Sequence, residues 1–321
     1  MRAALLSLLA LVAAALPAAA QQGGWPDRPV RMVVPFPPGG GTDVVARVVA
    51  ARLSEALGQP VVPENRPGAG GTIGADAVAR APPDGHTIGV ATSSTHPAAV
   101  ALLRDVPYDP VASFAAITLI GSTPYVLVGG PAARSATLRE FLDRARAEPG
   151  RVTYASVGTT TLGYLLTRQL ELLTGARMTH VPYRGSAQVY PDLINGTVAA
   201  LLDNPTGSAG LVREGRLRAF AATRASAALP EVPTFASLGV EGFDAAFWYG
   251  LVAPAGTPRA VVDRIQSEVS RHFLDTAAGH AELVGKDVTP VASSPAEFAS
   301  TIAEEAARWR ALAERLGIRP E

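Results

Sequence analysis

Apolar positions in this chain fall into two alternating kinds of block: short continuous runs and longer stretches with helical spacing. Residues 30–34 are Val and Met broken only by Arg31, which reads as a strand. A helical pattern follows over 44–57. A short strand is expected at 60–63, a helix at 73–80 after the Pro-Gly-rich segment 66–71, and a strand at 87–92. This β-α-β-α-β rhythm implies a largely parallel sheet with helices on both faces. A second set starts near residue 124. It comprises strand 125–128, a helix over 137–147 with Leu138, Phe141, Leu142 and Ala145 on one face, strand 152–156, and helix 162–173 closed by Gly175. Strands are expected again at 178–181, 199–202 and 217–222. Beyond the turn Pro254-Ala-Gly-Thr-Pro258 come helices near 259–274 and 295–316. In the last, Phe298, Ile302, Ala306, Trp309 and Leu312 recur at helical spacing.

The first twenty residues stand apart. Arg2 precedes an apolar run from Ala3 to Leu16, and Ala18-Ala19-Ala20 leads into Gln21. The run is too short to span a bilayer, and the pattern reads as a secretory signal peptide over 1–20. The chain has no cysteine, so disulfides and a lipid-anchored cysteine start are both excluded. The mature chain is expected to be soluble and unanchored and to fold on its core alone. Its 321 residues suit two compact domains. Basic and acidic residues balance at 28 each, and no basic stripe stands out, which argues against a nucleic-acid partner.

Chemistry is concentrated where strands end. Residues 35–43 read Pro-Phe-Pro-Pro-Gly-Gly-Gly-Thr-Asp between a strand and a helix. Such a turn exposes backbone N–H groups at a positive helix end, a device for holding an anion. No Lys follows the glycines, so this is not a phosphate-binding P-loop, and it is not a dinucleotide fingerprint. Asp43, with Thr42 beside it, is expected to cap the helix amides, which favours a carboxylate over a phosphate. Thr92, Ser93 and Ser94 form a hydroxyl cluster past the third strand that can donate to an anion or bond its own backbone. Ser156-Val-Gly158-Thr159-Thr160-Thr161 repeats the logic of the first loop in the second half of the chain. Two such loops facing across a cleft would grip the two ends of a small polar ligand. Arg184 could fork onto a carboxylate or sit outside the cleft on the surface, and Asp203 could read a ligand hydroxyl or ammonium group or brace the hinge.

No catalytic constellation, metal site or cofactor motif competes. The five histidines, at 86, 96, 180, 272 and 280, lack metal-ligand spacing. There is no G-x-S-x-G elbow and no S-x-x-K. His96 reads as structural or surface.

Seven blocks, in order, resemble the periplasmic solute-receptor family of tripartite tricarboxylate transporters, the Bug or TctC proteins. They are Trp25-Pro-Asp-Arg-Pro-Val30, Pro35 to Asp43, Glu64-Asn-Arg-Pro-Gly-Ala-Gly-Gly71, Pro107-Tyr-Asp-Pro110, His180-Val-Pro-Tyr-Arg-Gly185, Asp203-Asn204 and Ala253-Pro-Ala-Gly-Thr-Pro258. The resemblance implies an α/β, two-lobed periplasmic-binding-protein fold of type II. Each lobe would be a mainly parallel sheet flanked by helices, with residues 25–123 and 251–321 in lobe 1, residues 124–250 in lobe 2, and the ligand cleft between them. It implies a monomeric, non-enzymatic receptor that delivers a small carboxylate to the membrane subunits of a transporter. The family's two gripping loops map onto Phe36 to Asp43 and Ser156 to Tyr164. With the hydroxyl cluster, Arg184 and Asp203, the candidate set is Phe36, Pro38, Gly39, Gly40, Gly41, Thr42, Asp43, Thr92, Ser93, Ser94, Ser156, Gly158, Thr159, Thr160, Thr161, Tyr164, Arg184 and Asp203. The second loop departs from the family's S-x-G-x-G-[ST]-x-x-H-L. Thr160 replaces the second glycine and Tyr164 stands at the histidine, which suggests a ligand less acidic or more aromatic than citrate. Two other readings stay open. One is a ligand-loaded partner of a sensor kinase without transport. The other is an exported hydrolase using the Gly-rich loop as an oxyanion hole, for which the sequence offers no nucleophile–base pair.

Overall fold

The computed structural model describes residues 24–320; the signal segment expected at 1–20 lies outside them. The chain first lays down β1 (Val30–Val34), α1 (Gly41–Leu57), β2 (Val61–Asn65), α2 (Thr72–Ala79) and β3 (Thr87–Thr92). A π-helical turn at Ser94–Ala98 runs into the short α3 (Ala99–Leu102), and β4 (Phe114–Pro124) follows. The chain then crosses to a second sheet, with β5 (Val126–Gly129), α4 (Leu138–Ala147), β6 (Thr153–Ser156), α5 (Leu162–Thr174), β7 (Thr179–Pro182), α6 (Ser186–Asn195), β8 (Ala200–Asp203), α7 (Pro205–Arg213) and β9 (Arg218–Ala222). It returns through β10 (Ala246–Pro254) and ends in α8 (Arg259–Phe273), α9 (Ala277–Val284), β11 (Thr289–Pro290) and α10 (Pro295–Arg315).

The strand orders are β11-β4-β10-β3-β1-β2 and β7-β6-β8-β5-β9. Both sheets are mixed. The parallel pairs are those of the βαβ rhythm, β1 with β2 and β3, and β6 with β7 and β8. Antiparallel pairing enters through β4, β5 and β10, the strands next to the crossings between sheets. All of β10 lies in the first sheet, so the second crossing comes before Ala246, upstream of the step expected at 250/251.

Helix boundaries follow local chemistry. α1 starts at Gly41, three residues earlier than the apolar pattern suggests, and stops where Gly58 turns left-handed at φ 69°. It buries Val45, Ala46, Val49, Ala50 and Leu53 against the first sheet. α10 buries Phe298, Ile302, Ala306, Trp309 and Leu312, the stripe read from the sequence. A full capping box starts it: Ser294 Oγ accepts from the Glu297 amide at 3.3 Å, and Glu297 Oε2 accepts from the Ser294 amide at 2.8 Å. Trp248 Nε1, from β10, donates to Glu305 Oε2 at 2.7 Å and ties α10 to the sheet.

The two crossings are joined to each other. Only Tyr125 separates β4 from β5. Thr223, just after β9, donates its amide to Tyr125 O at 2.8 Å and accepts from the Tyr125 amide through Oγ1 at 2.9 Å. The same hydroxyl donates to Ala245 O at 2.6 Å, immediately before β10. One side chain therefore bridges both connections between the lobes.

Candidate functional site

Four helix starts converge between the sheets. The cavity there is lined by Gly40–Thr42 at the start of α1, Thr161 and Gly163 at α5, Gly185–Ala187 at α6, and Asp203–Asn204 at α7. The first amides of a helix have no carbonyl a turn earlier to bond, and the aligned peptide dipoles place positive charge there. Phe36, Tyr125, Val157, Leu201, Leu202 and Phe247 give the walls an apolar finish, and the cavity volume is about 50 Å3. That is room for a few water-sized positions, on the order of four. Among the described lining residues no Arg, Lys or His is present.

The first loop is shaped to aim its amides inward. Gly39 has φ 82°, and its amide donates to Asp43 Oδ2 at 3.0 Å. Asp43 also accepts from Asn65 Nδ2 at 2.9 Å and Arg47 Nε at 2.9 Å. Burial alone would raise its pKa, but the Arg47, Asn65 and Gly39 hydrogen bonds hold it below the usual value. Asp43 thus fastens the loop from behind and is absent from the cavity lining, as are the exposed Pro38 and Gly39. The expected cap is realised on the Gly39 amide, ahead of the helix, and not on the helix's own first turn.

The second loop divides its residues between two faces. Ser156 and Thr161 line the cavity. Ser156 Oγ lies 2.6 Å from His180 Nε2 and accepts from the Gly158 amide at 3.2 Å. A serine–histidine pair was not apparent from the sequence, because 24 residues separate the two. Gly158 has φ 127°, and past it the chain swings outward. Thr160 packs on Gly70 in the first lobe, so closely that a Cβ at Gly70 would lie 2.1 Å from Thr160 Oγ1. Gly70 itself has φ 63°, which glycine alone adopts without strain. The Tyr164 ring lies 4.9 Å from that of His180, tilted by 49°, and with Thr159 it faces a separate groove beside Arg168 and the 316–319 segment.

The lobes touch around the cavity. Ser94 Oγ, past β3, accepts from the Leu162 amide at 3.1 Å. Tyr249 of β10 reaches Asn204 Oδ1 at 3.2 Å and Thr206 Oγ1 at 3.3 Å. A Cβ at Gly41 would lie 2.3 Å from Asn204 Oδ1, so only glycine permits this approach. Asp203, 4% exposed, accepts from Ser186 Oγ at 3.0 Å and Tyr190 OH at 2.7 Å. Burial raises its pKa to about 6 against the opposing effect of those hydrogen bonds.

Eight of the eighteen expected residues line the cavity: Phe36, Gly40, Gly41, Thr42, Ser94, Ser156, Thr161 and Asp203. Thr92 is spent on its own turn, exchanging hydrogen bonds with Thr95, and Ser93 is buried outside the lining. Arg184 is exposed and away from the cavity. His96 is fully buried against Phe114 with Nδ1 3.0 Å from Thr95 Oγ1, and burial lowers its pKa to about 3. Tyr125, Phe247, Asn204 and the 185–187 turn were missed as site residues. Gly185-Ser186 sat within the recognisable His180–Gly185 block and its next residue, but the helix it starts was not foreseen.

A family model described as Tripartite tricarboxylate transporter family receptor matches residues 45–318. The chain belongs to this receptor family. The receptor is 37% identical over 299 residues to protein BugT of Bordetella pertussis, spanning 92% of this chain and 91% of BugT. A protein of R. palustris solved with adipate superposes with a TM-score of 0.89 at 35% identity, over 93% of the receptor and 100% of that chain. MatC from Rhodopseudomonas palustris, solved with bound malate, gives 0.84 at 33% identity, over 90% and 99%. The receptor therefore has the two-lobed periplasmic-binding-protein architecture and is a solute-binding protein of that class. No described helix is long and apolar enough to cross a membrane.

Proposed function

We propose that this receptor is exported to the periplasm, closes its lobes on a small carboxylate and presents it to the membrane subunits of a tripartite transporter. The observation that carries this reading is the convergence of four helix starts on one cavity that holds no basic side chain. Neutral amides at helix ends suit a carboxylate that must be gripped and later released. The relatives solved with adipate and malate support the same ligand chemistry.

The test is mass spectrometry of the protein purified natively from periplasm, followed by a thermal-shift screen of carboxylates. At a hundredfold excess over Kd a ligand adds roughly 2.7 kcal/mol to stability, on the order of 5–10 °C for domains of this size. No shift with any carboxylate would defeat the reading. The Ser156–His180 pair makes a turnover control worthwhile. Recovery of the ligand with unchanged mass after incubation is the expected result, and a product mass would place the protein among hydrolases.

A further inference from the structure

Among the described residues, the second lobe brings three serine or threonine hydroxyls to the cavity, on Ser156, Thr161 and Ser186. Two of their protons are already placed. Thr161 Oγ1 donates to Gly158 O at 2.8 Å, and Ser186 Oγ donates to Asp203 Oδ1 at 3.0 Å. Neither can be given to a ligand without breaking a bond inside the wall. Ser156 is different, because its partner can act either way. A hydroxyl has one proton and two acceptor positions. The Gly158 amide fills one position of Ser156 Oγ at 3.2 Å, and His180 Nε2 lies 2.6 Å away. If Nε2 is bare, Ser156 gives its proton to the ring and only a lone pair is left for the cavity. If Nε2 carries a proton, the ring donates, both acceptor positions are filled, and the Ser156 proton is left for the cavity. The ring itself is held in place. His180 lies opposite Tyr154 in the β6–β7 pairing, with ring centres 5.0 Å apart, and the Tyr164 ring of α5 lies 4.9 Å away.

We propose that His180 is a positioning residue: in the loaded receptor its Nε2–H donates to Ser156 Oγ and so makes the Ser156 hydroxyl a donor to the ligand's carboxylate. This rests on the receptor reading above. A carboxylate accepts only, so it meets a repelling lone pair in one state and a proton in the other. Binding therefore selects the second state. The polarity is the reverse of a nucleophilic serine–histidine pair, in which the serine gives its proton to the ring.

The test is long-range proton–nitrogen NMR on histidine-labelled protein, with the His180 ring assigned through its contacts with the Tyr154 and Tyr164 rings. Malate and adipate are the probes. If neither binds, the protein is studied with the carboxylate it retains from periplasm. A proton on Nε2 in the loaded receptor is the expected result. A bare Nε2 with ligand bound overturns the proposal and leaves the receptor reading intact, whereas a protein that retains no carboxylate and binds neither probe overturns both. Calorimetry supplies a second arm. His180→Phe keeps a ring but has no N–H, and should weaken binding by about tenfold or more. Ser156→Ala should do the same, and adding His180→Phe to it should cost less than about threefold further, since the ring acts through the hydroxyl. Wild-type affinity in His180→Phe overturns the proposal. So does an effect that persists undiminished in the Ser156→Ala background, which is what a purely structural role would give. If His180→Phe fails to fold, the NMR arm decides on the wild-type protein.

Discussion

Gly40 and Gly41 are adjacent in sequence and opposite in tolerance. Gly40 has φ −82°, and the nearest atom to a Cβ there is Pro37 O at 3.8 Å. A side chain fits the backbone, and because Gly40 lines the cavity a bulky one is expected to intrude on it. Gly40→Val should leave the circular dichroism spectrum unchanged and abolish ligand binding by calorimetry. Gly41→Ala acts differently, because its methyl would collide with Asn204 across the cleft. That variant should bind weakly and stay expanded in small-angle scattering when ligand is added. Wild-type affinity in both would remove the first loop from the site. At this scale the sequence was informative where a residue ends a strand. Gly40, Ser156 and Asp203 were found because ligands in α/β folds lie beyond strand ends. Tyr125 and Phe247 were not, because only the packing of two sheets brings them to one cavity. Thr160 and Tyr164 were credited to the cleft because spacing does not reveal the left-handed turn at Gly158 that sends them outward. Their difference from the family pattern therefore bears on the lobe contact and the outer groove before it bears on the ligand.

Among the elements, α10 is the brace of the first lobe. It packs on the π-helical turn 94–98 that carries Ser94, so its stability reaches the cleft. Removing the capping box with Ser294→Ala should cost about 1 kcal/mol. A urea midpoint equal to wild type would show that tertiary packing alone holds the helix start. The buried stripe of α10 and the faces of α1, α4 and α5 were legible because their apolar spacing is regular. α6 and α7 were not. Pro191 interrupts the first, and Pro205, Gly207 and Gly210 lower the helical signal of the second. Both pack against neighbours in the fold, the second of them on both lobes. The antiparallel strands β4 and β10 escaped for another reason. Nothing local distinguishes a strand that pairs antiparallel beside a crossing from one inside a βαβ unit, and their pairing is a property of topology.

For the whole molecule, two buried groups set opposing pH dependences. Asp203 has a folded pKa of about 6 against 3.8 ordinarily. Between those values the folded state keeps a proton that the unfolded chain releases, so its contribution is present below about pH 4 and lost as pH rises through 6. His96, at about 3 against 6.5, behaves in reverse: its contribution is present above 6.5 and lost as pH falls toward 3. The stability of wild type relative to Asp203→Asn should therefore fall between pH 4 and pH 7, by on the order of 3 kcal/mol. Urea titrations at the two pH values measure this, and a constant difference would mean that Asp203 titrates normally. The bond set of Thr223 has a consequence for motion. Because one hydroxyl is fastened to both crossings, the two strands are expected to turn together, like leaves on a single pin. Tyr125 takes that pin through its backbone and offers its ring to the cavity wall. A molecule held in that cavity, as proposed above, would lean on the axle itself, and its fit would be judged at the pivot as well as at the jaws.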